Sequence, residues 1–123
     1  MDHLALAEKF VNAIEAADVP TIRTCYSPSA RIWHNFDGIE QTVDENLATL
    51  GWLVKRLPER RYDVQRREAL PDGFMQQHVL RGRTAAGEEF ALPACIVVRV
   101  QDGLIVRLDE YLDSAGAAAL AKR

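Results

Sequence analysis

Residues 61–112 constrain the fold of this chain most, because three turn signals divide them into four pieces of strand length. The pieces are 61–70, Phe74–Ala85, Glu88–Gln101 and Leu104–Leu112, separated by Pro71-Asp72-Gly73, Ala86-Gly87 and Asp102-Gly103. Short Gly-containing turns between runs rich in β-branched and aromatic residues mark antiparallel hairpins. The expectation is a four-stranded antiparallel meander. In its long third piece Phe90, Leu92, Ala94, Ile96, Val98 and Val100 share one face, and Pro93 points to an edge or a bulge. In the fourth, Glu110 shares a face with Leu104, Val106, Leu108 and Leu112, leaving Ile105, Arg107, Asp109 and Tyr111 on the other.

The first half has a helical period. Leu4, Leu6, Ala7, Phe10, Val11, Ile14 and Ala17 recur at spacings of three and four, with Glu8, Lys9, Asn12 and Glu15 outside. Asp18-Val19-Pro20 breaks that helix, and Pro20 opens a short second one carrying Ile22, Cys25 and Tyr26. Ser27-Pro28-Ser29 reads as a turn and residues 30–36 as a strand ending at Asp37-Gly38. Thr42 and Glu45 have capping-box spacing, and Val43, Leu47, Leu50, Leu53, Val54 and Leu57 form an apolar stripe that Pro58 stops. Ser114 opens a short helix in the Ala-rich tail. Helices followed by a run of strands predict an α+β fold, with the N-terminal helices packed on one face of a strongly curved, mostly antiparallel sheet.

Size and charge narrow the function class. The 123 residues fit one domain, 1–123, and 48% apolar against 27% charged residues suits a packed core rather than disorder. A net charge of −3 argues against a polyanion partner, so no nucleic acid is expected. The basic cluster Lys55, Arg56, Arg60, Arg61, Arg66 and Arg67, broken by Glu59 and Asp63, reads as a solvated face. Cys25 and Cys95 are too few for a disulfide framework and read as buried small hydrophobes. No apolar run is long enough for a membrane span, and Asp2, His3, Glu8 and Lys9 do not suit a signal peptide. The expected setting is cytoplasmic, away from membranes.

Three stretches carry a family likeness: Ala17-Asp18 through Tyr26-Ser27-Pro28 to Ile32-Trp33-His34-Asn35; His78-Val79-Leu80-Arg81 through Gly87 to Leu92-Pro93; and Asp102-Gly103-Leu104-Ile105 leading to Asp109-Glu110-Tyr111-Leu112-Asp113. With the order of elements, they resemble the nuclear transport factor 2-like superfamily. Its members include SnoaL-like polyketide cyclases, ketosteroid isomerases and limonene epoxide hydrolases. The resemblance implies a cone-shaped scaffold around a mostly apolar pocket for a small hydrophobic organic ligand, and a homodimer through the outer sheet face. Such scaffolds host many functions, so the reaction does not follow from the fold.

The resemblance also locates candidate residues. In ketosteroid isomerases an Asp base sits eight residues beyond the aromatic before the first strand; from Tyr26 that position is His34. Their oxyanion-hole Tyr and Asp fall on Phe10 and Cys95, so that mechanism loses its donors. The five polar positions of limonene epoxide hydrolases fall on Ile32 and His34, Gln76 and His78, and Glu110. His34, His78 and Glu110 are therefore the catalytic candidates: histidine titrates near neutrality, and an acid in an apolar row must be paired or neutral. Tyr26, Ile32, Trp33, Asn35, Trp52, Gln76 and Cys95 are the substrate-binding candidates. No close His-x-His or His-x-x-x-His spacing supports a metal, and no cofactor is expected. The function expected is isomerisation, cyclisation or hydrolysis by His/Glu acid–base chemistry. The alternative is a non-catalytic ligand-binding or dimeric interaction module of the same fold, with the three side chains as a satisfied buried cluster.

Overall fold

The computed structural model describes residues 2–118. Helix α1 (His3–Ala16) is capped by Asp2, whose side chain accepts from the Ala5 N–H, and ends at Ala17 in the left-handed region (φ 55°). Helix α2 (Val19–Cys25) follows an Asp18 cap with Pro20 in its first turn. Strand β1 (Tyr26–His34) and the two-residue β2 (Glu40–Gln41) precede α3 (Val43–Arg56), which carries the full Thr42/Glu45 capping box. Strands β3 (Glu59–Leu70), β4 (Gly73–Arg83), β5 (Glu89–Gln101) and β6 (Leu104–Leu112) form the meander, and α4 (Ser114–Ala118) closes the described chain. The rest of the Ala-rich tail lies outside the described residues. Among them, no helix is long and apolar enough to cross a membrane.

The architecture is α+β, with one open six-stranded sheet in the order β2-β1-β6-β5-β4-β3. Hairpin connections make β3 to β6 antiparallel, whereas β1 lies parallel to β6 because most of the chain runs between them. The Asp102-Gly103 turn has both residues at positive φ (53° and 77°), the twist-matched geometry for a two-residue hairpin. Gly73 serves a different need than a turn. It already belongs to β4, where an added Cβ would fall 1.8 Å from the Val98 carbonyl oxygen.

Bulges correct several expectations. Ser27-Pro28-Ser29 is not a turn but lies inside β1, in the irregular stretch between Tyr26 and Arg31 of the β1–β6 ladder. A second irregularity, where Arg99↔Arg107 gives way to Val100↔Ile105, shifts the β6 alternation, so Ile105 is fully buried in place of Leu104. A third, between Val64 and Arg66 of β3, brings Arg67 opposite Gln76. Pro93 marks neither a bulge nor an edge strand: β5 is interior, and its β6 ladder ends at Ala94↔Leu112, one residue short of Pro93.

The core sits between α1, α3 and one sheet face, built on Phe10, Ile22, Ile32, Phe74, Ile96, Val98 and Ile105. Glu15, on the outer side of α1 by its period, turns to accept the Tyr62 backbone N–H at 2.8 Å and ties the helix to edge strand β3. His3 is likewise anchored, its ring nitrogen 3.1 Å from the Leu70 carbonyl.

Candidate functional site

Register decides which polar side chains meet on the helix-covered face. Residues directly opposite on neighbouring strands share a face, and the ladders align one row across five strands: His34 (β1), Glu110 (β6), Ile96 (β5), Gln76 (β4) and Arg67 (β3). His78 stands one step along β4 from Gln76, beside Ala94 and Val64.

At one end of the row His34 Nε2 lies 3.1 Å from Glu110 Oε1. Burial disfavours the imidazolium, but the hydrogen bond to Glu110, the charge of Glu110 and that of Asp37 outweigh it, so the His34 pKa is raised. At the other end Arg67 Nε donates to Gln76 Oε1 at 2.8 Å, and Gln76 Nε2 lies 2.9 Å from His78 Nδ1. His78 is shifted the opposite way. Burial lowers its pKa, Glu110 partly offsets this, and Arg67 lowers it further. Tyr62 meets the His78 ring edge-on at 5.1 Å. Burial raises the pKa of both the Tyr26 and Tyr62 phenols, so both are neutral.

Two chambers open on this row. The inner one, about 120 Å³, is lined mainly by apolar side chains such as Phe10, Val11, Ile14, Ile32, Leu50 and Leu108. The outer one, about 490 Å³, is walled by Phe36, Trp52, Leu80, Leu92, Leu112 and Ala117. His34, His78, Glu110, Tyr62, Thr49 and Leu53 border both. An inner space of that size approaches the ~150 Å³ apolar cavity that admits benzene in a well-studied case. Its polar wall is organised too: Gln41 donates to Thr49 Oγ1 at 2.9 Å and accepts from Asn46 Nδ2 at 3.0 Å.

The structure brings together His34, His78 and Glu110, with Tyr26, Ile32 and Gln76 at the inner chamber and Trp52 at the outer. Three substrate-binding candidates fall elsewhere. Trp33 alternates to the opposite sheet face and packs edge-on against Tyr111 at 5.3 Å. Cys95 pairs with Gln77 and Tyr111 and borders a shallow cleft on that same face. Asn35 extends the ladder: its side chain accepts from the Leu112 N–H at 2.9 Å and donates to the Leu112 carbonyl at 3.2 Å. Strand alternation accounts for the first two, and the end of β1 for the third.

Arg67, Tyr62, Asn46 and Thr49 went unrecognised in the sequence. Arg67 reads as part of a basic surface because its inward turn depends on the β3 bulge. The Gln-x-His spacing on β4 was visible, but not what holds it. Among the described residues, the buried Tyr26 hydroxyl has no hydrogen-bond partner, and no group of three or more His, Cys, Asp or Glu side chains is placed to share a metal ion.

Residues 7–108 match the model of the SnoaL-like domain. No curated protein matches the chain. Among solved structures it is similar to wild-type IdmH of Streptomyces antibioticus, a candidate polyketide cyclase, with 19% identity and a TM-score of 0.88 over 98% of this chain and 99% of that one. It is also similar to AclR of Streptomyces galilaeus, a candidate hydroxylase, at 16% identity and TM-score 0.85, covering 98% and 85% of the two chains. An NTF2-like protein of unknown function from Burkholderia pseudomallei matches at 17% identity and TM-score 0.85, over 100% and 99%. At these identities the likeness is one of fold.

Proposed function

The chain belongs to the SnoaL-like domain family, and from that premise we propose a cofactor-independent proton-transfer catalyst acting on a small, largely apolar organic molecule. The classes it covers are isomerisation, cyclisation and hydrolysis. One observation carries the reading: the His34–Glu110 pair, 3.1 Å apart, borders two chambers whose other walls are mostly apolar. An apolar enclosure strengthens such a pair and shields the reacting atoms from water.

The pair works as a unit with one exchangeable proton. Neutral imidazole with carboxylate is its base form, and imidazolium with carboxylate its acid form. The base form takes a proton from carbon next to a carbonyl and leaves an enolate. Returning that proton to another atom completes an isomerisation; attack of the enolate on a second carbonyl closes a ring. Taking the proton from water, as that water attacks an ester or epoxide, is the hydrolytic version. The candidate cyclase assignment of IdmH belongs to that protein, and it agrees with the enolate class.

The test is exchange of α-hydrogens for deuterium in small cyclic ketones and esters in D₂O, followed by NMR. Wild-type protein is expected to accelerate exchange, and Glu110→Gln to lose the acceleration. If compounds bind in the cavity without any exchange, the catalytic reading fails and the binding-module alternative replaces it.

A second copy against the opposite sheet face belongs to the same proposal. Val97 and Tyr111 are 39% and 48% exposed there, beside Trp33. Light scattering is expected to give twice the chain mass, and Tyr111→Arg to give the monomer; a wild-type monomer ends this part of the reading.

A further inference from the structure

Arg67, Gln76 and His78 form a chain of hydrogen bonds whose direction has only one solution. Guanidinium N–H groups donate and never accept, so Gln76 must present its oxygen to Arg67 Nε, 2.8 Å away. That turns the Gln76 amino group toward His78 Nδ1, 2.9 Å away, and Nδ1 must then be the acceptor. The ring proton is left on Nε2. Gln76 is fully buried and His78 is 4% exposed, so water does not offer an alternative partner at this joint.

We propose that Arg67 and Gln76 are positioning residues that lock His78 as a neutral imidazole protonated on Nε2, and that this Nε2–H recognises the carbonyl oxygen of a neutral ligand. The second clause rests on the proposed function, since it takes the cavity to hold a small organic molecule. The lock itself does not.

The surroundings favour this assignment over the charged ring. A second proton on Nδ1 would face the Gln76 amino group donor to donor, and relief would require the amide to turn and abandon Arg67. Of the charged and titratable groups around His78, Arg67 on β3 opposes its protonation and Glu110 on β6 favours it. Tyr62 on β3 is neutral, and the His34 charge on β1 is spent on Glu110. The same arrangement selects the ligand. The neutral ring offers one N–H donor and no charge, so an ammonium group has no lone pair to accept it and a carboxylate gains no counter-charge there. A ketone, ester or lactone oxygen suits the donor, and its α-carbon then lies in the cavity that the His34–Glu110 pair borders.

Ring nitrogen chemical shifts of ¹⁵N-histidine-labelled full-length protein test the lock without any ligand. At pH 7 the His78 signals are expected to report a neutral ring protonated on Nε2. A ring protonated on Nδ1, or doubly protonated, overturns the proposal. Gln76→Glu places an acceptor at Nδ1 and is expected to raise the His78 titration midpoint by about one pH unit or more. Should that variant not fold, Arg67→Met is read instead: it frees the amide and is expected to admit the Nδ1-protonated form. A midpoint or tautomer that stays put in the variant read removes the relay.

Recognition is tested by titrating wild-type protein with cyclohexanone and with methylenecyclohexane, its hydrocarbon isostere. The ketone is expected to bind about tenfold tighter and to shift the His78 Nε2 signal. Equal binding, or binding that leaves that signal unmoved, defeats the recognition clause. Ketone binding with the lock intact but without α-hydrogen exchange would sink only the proposed catalysis.

Discussion

The two ends of the His34–Glu110–Ile96–Gln76–Arg67 row use the same kind of side chain to opposite purposes. At the β1–β6 end an imidazole faces a carboxylate and is held toward its charged form. At the β4–β3 end an imidazole faces an amide that is itself fixed by a guanidinium, and is held neutral. Between them Ile96, 4% exposed, interrupts the row with an apolar side chain, so no direct hydrogen bond links the ends. Burial lowers the pKa of both rings; at His34 the adjoining carboxylate overrides it, and at His78 it prevails. Histidine chemistry in such a cavity is therefore written one residue away from the histidine.

The largest expected effect breaks the first end. Glu110→Gln removes the carboxylate and is expected to slow α-hydrogen exchange by about 10²–10⁴-fold. A rate within about threefold of wild type would mean the proton is carried elsewhere in the cavity. The second end is broken by Gln76→Leu, which strands both Arg67 and His78 Nδ1. It is expected to cost about 2–3 kcal/mol in urea unfolding, the penalty for unpaired buried polar groups. A loss near zero would show that Arg67, only half-buried, drags water into the site.

A gentler probe compares both ends at once. The folded pKa of His34 is raised, so the stability it adds is full below its ordinary value of 6.5 and is lost as pH climbs through the folded value. That of His78 is lowered, so stability is full above 6.5 and is lost as pH falls through the folded value. Together they place a stability maximum near pH 6.5. His34→Asn is expected to flatten the alkaline side and His78→Asn the acid side, read from urea midpoints across pH 5–8. Glu40, Glu45 and Asp63, all lowered, act below their ordinary values of 4.5 and 3.8 and leave this window clear. The smallest change is a surface control: Arg23→Ala breaks the exposed Arg23–Asp44 pair and is expected to move stability by less than about 0.5 kcal/mol. A larger loss would show that the surface is not the neutral background this comparison assumes.

Sequence alone reached the α+β class, the helix limits within a residue or two, and the four-strand meander. These are set by short-range signals: apolar period, caps and Gly turns. It also singles out His34, His78 and Glu110, which border the same cavity, through a resemblance rather than a pattern. What stayed hidden was every consequence of a bulge. Ile105 and Leu104 exchange faces, Ser27-Pro28-Ser29 becomes strand, and Arg67 turns inward, because one extra residue in a ladder inverts the alternation beyond it. The parallel contact of β1 with β6, which makes the His34–Glu110 pair, joins segments far apart in the chain and leaves no local trace. Trp33 and Asn35 lie away from the cavity for a related reason: adjacent to His34 in sequence, they serve the other face and the strand end.

The β3 bulge falls where the chain has two arginines in succession. With the extra residue at Gln65, Arg67 stands opposite Gln76; threaded regularly, the same chain would put Arg66 there. Deleting Gln65 restores regular pairing and still leaves Arg67 in place. Most strands lose their chemistry to a one-residue insertion or deletion. Here the bulge absorbs a deletion at Gln65 and the doubled arginine absorbs a loss of the bulge, so an arginine stands opposite Gln76 in either threading.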